Sequence, residues 1–229
     1  MATNKEIPVA TDNTNPHPPL VAQATRIVDI GLAAAVGKAI GQGEEWSLEA
    51  YLADVVSKAR FCPKCAAEAA ASSSGEVYIL CEPRAGFSAA SSHGSIVFGG
   101  NDATFVPFDD RHAVPLTPYW VILNPGRGNR NKPPVDCRAE FAQKHGILSA
   151  RAMDGVFARI HHPNVVTELH NNPDGHAMDL AGSLCAAHRG RCAFLHVWFG
   201  QARVVCHDDG SRNPQHGPAF LRECRHLNP

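Results

Sequence analysis

AFLHVWFG, Ala193 to Gly200, and ARVVCH, Ala202 to His207, are two short runs of aromatic and β-branched residues on either side of a turn at Gly200. That pattern reads as a β-hairpin, and it would place His196 and His207 near each other across paired strands. Working outward, EVYILC (76 to 81), GSIVFGG (94 to 100), ATFVPF (103 to 108) and YWVILN (119 to 124) are further strand-like runs bounded by Gly, Pro and Asp turns. Before Gly75 the period is helical. Val21 to Ile40 carries apolar residues at helical spacing, with Gly41 and Gly43 as stops. Ser47 suits the N-cap of a second helix whose Leu48, Tyr51, Leu52, Val55 and Val56 form one stripe, and CPKCAAEAAA begins a third. Between the strand runs and the hairpin, 137–144, 150–160 and 176–188 read as helices, while the last twenty residues are polar and weakly patterned. The sequence therefore predicts an α+β fold with a disordered tail over 1–20, a helical portion over 21–74 and an α+β domain over 75–229.

Bulk properties narrow the function. The chain has 229 residues, 44% of them apolar and 19% charged, enough to bury a sizeable core. Its 21 basic and 22 acidic residues leave a formal charge of −1, so no overall field recruits nucleic acid or an anionic membrane, and no nucleic-acid partner is expected. The N-terminus MATNKEIPVATDNTNPHPPL lacks the pattern of a signal peptide. The best apolar run, IVDIGLAAAVGKAI, contains Asp29 and Lys38 and falls short of the roughly 20 residues of a membrane span. The expectation is a protein that is cytoplasmic when synthesised, or exported by a route that needs no cleaved signal.

Thirteen histidines and eight cysteines tilt the composition towards chemistry near neutral pH. Cys137 follows Asp136 and two prolines at the start of a helical stretch, where the helix dipole favours a thiolate. The pattern D-C-x-x-x-F-x-x-x-x-G-I, carried by Asp136, Cys137, Phe141, Gly146 and Ile147, resembles the nucleophile helix of the NlpC/P60 cysteine peptidases. His196 to His207 resembles that family's second element. The resemblance implies a papain-like, NlpC/P60-like antiparallel sheet with a nucleophile helix, preceded here by N-terminal helices. It also implies roles: Cys137 as nucleophile, His196 as base and His207 as the group orienting the imidazole. The implied activity is a thiol hydrolase that cuts an amide bond in peptidoglycan stem peptides, as a cell-wall amidase, lysin or antibacterial effector toxin. Its partners would be a peptide or peptidoglycan substrate and, for an effector, an immunity or secretion protein; neither cofactor nor metal is implied. The chain departs from the family in having Arg138 and Ala139 where Ser-Gly is usual after the cysteine. A rival base is His93 in SSHGSIVFGGNDATFV, which precedes the cysteine as in circularly permuted papain-like hydrolases.

Two other features suggest different functions. His161 to His176 holds four histidines with Glu168 and Asp174, a set that would suit a metal-dependent nuclease-type toxin, although a polar loop beside a site has the same composition. Cys62-Pro-Lys-Cys65 is at most half of a structural zinc site, its second pair being missing, and reads more readily as a disulfide or a pair of reduced buried thiols. On that reading the protein is a non-enzymatic zinc- or disulfide-stabilised binding domain.

Overall fold

The computed structural model describes residues 17–42, 46–224 and 226. The tail expected over 1–20 lies outside the described residues up to position 16, and so does Gly43. The helix expected over 21–40 is two helices, α1 (Pro18–Asp29) and α2 (Leu32–Ala39), bent by 78°. Gly31 joins them at φ 78°, a left-handed conformation that costs glycine nothing and other residues strain. Among the described residues no single helix is long and apolar enough to cross a membrane. Helix α3 (Leu48–Lys58) starts as expected, with Ser47 Oγ accepting the Ala50 N–H at 3.1 Å. Helix α4 (Pro63–Ala70) follows, its N-cap being Cys62.

The rest of the chain alternates strands with three helices. In order it forms β1 (Val77–Cys81), α5 (Phe87–His93), β2 (Val97–Phe98), β3 (Phe105–Pro107), β4 (Tyr119–Asn124), α6 (Pro134–Ala142), β5 (Ile147–Ser149) and α7 (Ala152–His161). Strands β6 (Ala177–Cys185), β7 (His188–Trp198), β8 (Gln201–Asp208), β9 (His216–Pro218) and β10 (Phe220–Arg222) complete it. One sheet has the order β1-β4-β10-β5, all antiparallel. The other has the order β2-β8-β7-β6-β3, with β9 added beside β6. Its β2–β8 and β6–β9 pairs are parallel and the remainder antiparallel, so the fold is α+β with a mainly antiparallel second sheet.

Three expectations fail for identifiable reasons. The helix expected over 176–188 is strand β6. Every one of its residues is buried, so both faces are covered, and small Ala181 and Gly182 interrupt the alternation of apolar Met178 and Leu180 with polar Asp179 and Ser183. The strand expected over 94–100 shrinks to β2, and the segment before it is helix α5, whose first-turn Ser88 N–H is taken up by Asp102 Oδ1 at 2.6 Å. The weakly patterned C-terminal stretch contains β9 and β10, three residues each, too short to show a period.

One hydrophobic cluster unites the chain. Leu20, Ile27, Leu32, Tyr51 and Val55 of the N-terminal helices share it with Ile79, Phe157, Met178, Leu195 and Val204. Helix α7 thus packs between the N-terminal helices and one face of the β6–β7–β8 sheet, leaving the other face for chemistry.

Candidate functional site

Period two decides what that second face carries. Met178 and Leu180 of β6, Ala193 and Leu195 of β7, and Ala202 and Val204 of β8 all enter the core. Their neighbours Asp179, Phe194, His196 and His207 therefore point the other way. Asp179 lies opposite Phe194 in register, and β9 brings His216 alongside Ala177. Position 216 is held by a close backbone approach. A Cβ on Gly217 would meet Gly126 O at 2.1 Å, and one on Gly126, at φ 80°, would meet Gly217 O at 2.5 Å. The same loop donates its Asn131 N–H to His216 O at 3.3 Å and to Asn213 O at 3.0 Å.

Asp179, His207 and His216 converge, one ligand atom of each lying within 4.8 Å of the others. His207 Nδ1 is 3.5 Å from Asp179 Oδ1, near enough for charge attraction but without a formed hydrogen bond, and both atoms are buried without a hydrogen-bond partner. His216 Nδ1 is in the same condition. The His207 and His216 rings lie 4.9 Å apart at 75°, and Phe194 is a common floor, 4.8 Å from the first and 4.4 Å from the second. Burial and the nearby His207, His196 and His176 hold the His216 imidazole down to about 4, so it is neutral at pH 7 with a lone pair to give. Burial pushes the Asp179 carboxyl upward against the opposing pull of His207, and Asp209 adds to the rise. A cation in the cluster would reverse that rise. Two imidazoles and one carboxylate form a donor set suited to a divalent transition metal that keeps open positions.

Cys137 lies nearby but is packed. It is free and fully buried, its N–H is already bonded to Pro133 O at 3.2 Å, and burial pushes its thiol up to about 11. Lys132 opposes that rise, while Glu140, Asp136 and Asp179 add to it. The residue after it explains the departure from the NlpC/P60 pattern. Arg138 is buried and anchors α6 by bonding Ala181 O at 3.0 Å and Asp209 Oδ2 at 2.6 Å, with its guanidinium 4.0 Å over the Phe108 ring.

The hairpin histidines take different places from those expected. In register His196 faces Arg203, whereas His207 faces Cys192, and Phe194 stands between the two rings, 5.0 Å from His196 and 4.8 Å from His207. His207 is thus the partner of Asp179. Burial and Arg203 lower the His196 pKa, and its Nδ1 has no hydrogen-bond partner. His93 closes α5 and its Nδ1 lies 2.7 Å from Ile30 O at the α1–α2 break, a packing role.

The His161 to His176 cluster disperses. His161 Nε2 bonds Leu80 O at 2.9 Å, His170 meets Trp198 edge-on and Phe199 at a tilt, and His176 Nε2 bonds Pro125 O at 2.8 Å. Asp179 and His216 went unread in the sequence because the first sat in an apparent helix and the second in an apparently unstructured tail. The available signal was a lone acid inside the apolar run AMDLAG. A 460 Å³ cavity lined by Phe87, Phe105, His112, Met153 and Ser183 lies elsewhere, and none of the three converging residues lines it. No protein-family model matches the chain, and neither a curated protein nor a solved structure is found to resemble it.

Proposed function

We propose that the protein is a hydrolase whose nucleophile is water, activated at a divalent metal held by Asp179, His207 and His216. The observation that carries this reading is the convergence of Asp179, His207 and His216, each of which also holds a buried side-chain atom without a hydrogen-bond partner. A metal bound there would act as a Lewis acid and lower the pKa of a coordinated water towards neutrality. The chain's own groups supply the rest. Phe194 fixes the planes of the two imidazoles, burial keeps His216 unprotonated, and His196 on the same face is a neutral proton acceptor. The bond assigned is the amide that the NlpC/P60 resemblance implies, with peptidoglycan stem peptides as the substrate class.

A second reading keeps Cys137 as nucleophile, with the Asp179–His207 pair as its proton-accepting dyad. One observation favours it: Arg138, next to the thiol, bonds Ala181 O on β6 at 3.0 Å, so the helix carrying Cys137 is docked on the strand that carries Asp179. The two readings separate in a single assay of amine release from purified peptidoglycan, with plasmid nicking as a parallel arm. The metal reading expects loss of turnover with a chelator, recovery with Zn²⁺ or Mn²⁺, a loss of about a hundredfold or more in Asp179→Asn, and near wild-type rates in Cys137→Ala. Turnover that survives chelation and vanishes in Cys137→Ala would overturn it in favour of the thiol. Plasmid nicking without amine release would keep the metal and replace the amide by a phosphodiester.

A further inference from the structure

A second group of ligands sits at the opposite edge of the fold, where the first and last parts of the chain meet. Cys62 and Cys65 flank the start of α4, and Cys224 follows β10; one sulfur of each lies within 4.8 Å of the other two. Cys65 and Cys224, 159 residues apart, are joined as a disulfide, and Cys62 is a free thiol, buried beside them. A bridge needs two sulfurs and leaves this third one unexplained.

The surroundings suit three sulfurs acting together. Cys62 Sγ accepts the Cys65 N–H at 3.4 Å, which holds the sulfur at the start of α4. The Cys62 N–H donates to Tyr78 Oη at 3.1 Å, which fixes the loop before the helix. Tyr78, Ile122 and Ala69 wall the group, with Phe61 and Trp120 packed outside them. The sulfurs come from a Cys-x-x-Cys pair early in the chain and a single cysteine late in it, a three-thiolate set of the kind zinc takes.

We infer that Cys62, Cys65 and Cys224 form a three-thiolate zinc site in the reduced protein, pinning α4 to the end of β10. Entry to that state is a thiol–disulfide exchange. A dithiol passes two electrons and two protons to the Cys65–Cys224 bond and itself becomes a disulfide, and the three thiols then release their protons as the metal binds. This site stands apart from the Asp179 cluster and does not depend on it.

The test uses the full chain, reduced with a dithiol under anaerobic conditions, freed of metal and titrated with Co²⁺. The expected result is a thiolate-to-cobalt charge-transfer absorption that saturates at one site, persists in Asp179→Asn and disappears in Cys62→Ser. Cobalt at two imidazoles and a carboxylate gives no such band, so the two centres do not mask each other. On the wild type alone, Zn²⁺ should slow alkylation of Cys62, Cys65 and Cys224 by about tenfold or more, a readout that does not require any variant to fold. Absence of the charge-transfer band in the reduced wild type, its survival in Cys62→Ser, or alkylation unaffected by zinc would each overturn the site.

Discussion

Asp154 and Asp179 are both buried, with 0% and 1% of their surface exposed, and they live in opposite conditions. Asp154, in the first turn of α7, accepts from Arg151 N at 2.9 Å, Arg151 Nε at 2.7 Å, Arg151 Nη2 at 2.9 Å and Tyr119 Oη at 2.7 Å. Its partner is in turn completed by Ala113 O, at 2.9 Å from Arg151 Nη1. Asp179 has one oxygen without a hydrogen bond and faces two imidazoles in the same state. A saturated buried charge is part of the scaffold, because every lone pair already has its proton and nothing further can bind. An unsaturated one is costly to maintain and retains the capacity to hold a ligand.

The sharpest way to break this comparison is to remove each carboxylate in turn. Asp154→Ala strands a buried guanidinium, and the expected loss is about 3–5 kcal/mol, read as a lowered denaturant midpoint with unchanged slope. Asp179→Asn in metal-free protein removes a buried charge with no hydrogen-bonded counter-ion, so stability should stay within about 1 kcal/mol of wild type or rise. Equal losses in both variants would mean that Asp179 is a structural partner and not a ligand.

The next effect in size is that of metal. Zn²⁺ held at about a hundred times its Kd should stabilise the folded chain by about 2.7 kcal/mol, a rise in Tm on the order of 5–10 °C for a chain of this size. The measurement is a melting curve on unreduced protein, where the Cys65–Cys224 disulfide keeps the second site closed. His207→Ala should abolish the shift, and a shift that persists in that variant would place the zinc elsewhere.

Acid provides the most graded test. Burial first of all holds His161 down to about 3 and both His176 and His216 down to about 4. All three lie below the ordinary 6.5, so the unfolded chain binds their protons first. Their contribution is fully present above pH 6.5 and is lost as pH falls towards 4, at up to about 1.4 kcal/mol per pH unit for each group. Denaturant midpoints measured from pH 7 to pH 4 should fall steadily, and the slope should flatten in His216→Asn by that residue's share. A profile without slope would show that these imidazoles are not sequestered from protons.

Several elements were legible in the sequence because their signals are local. The Ser47 cap, the stripe on α3 apart from exposed Val56, the strand runs at 76–81, 103–108 and 119–124 and the hairpin about Gly200 each depend on neighbouring residues, and each has a counterpart in the fold. Strand β6 was not legible, since both its faces are covered and Ala181 and Gly182 interrupt its alternation, and α5 was hidden by a loop carboxylate from Asp102 that satisfies its first turn. For the site, His196 and His207 could be placed on a hairpin, but not their register, which sets Phe194 between them and gives His207 to Asp179.

What the sequence by itself determined is therefore the class of fold, the hairpin and the presence of an unusual stock of ligating side chains. Which of those side chains meet was decided by tertiary structure alone. Asp179, His207 and His216 come from three separate strands, and their convergence depends on the β6–β7–β8 register and on the Gly126–Gly217 contact that seats β9. The condition of Cys137 was decided the same way: the Arg138–Asp209 pair docks α6 against the sheet, and burial raises a thiol that helix position alone would have lowered.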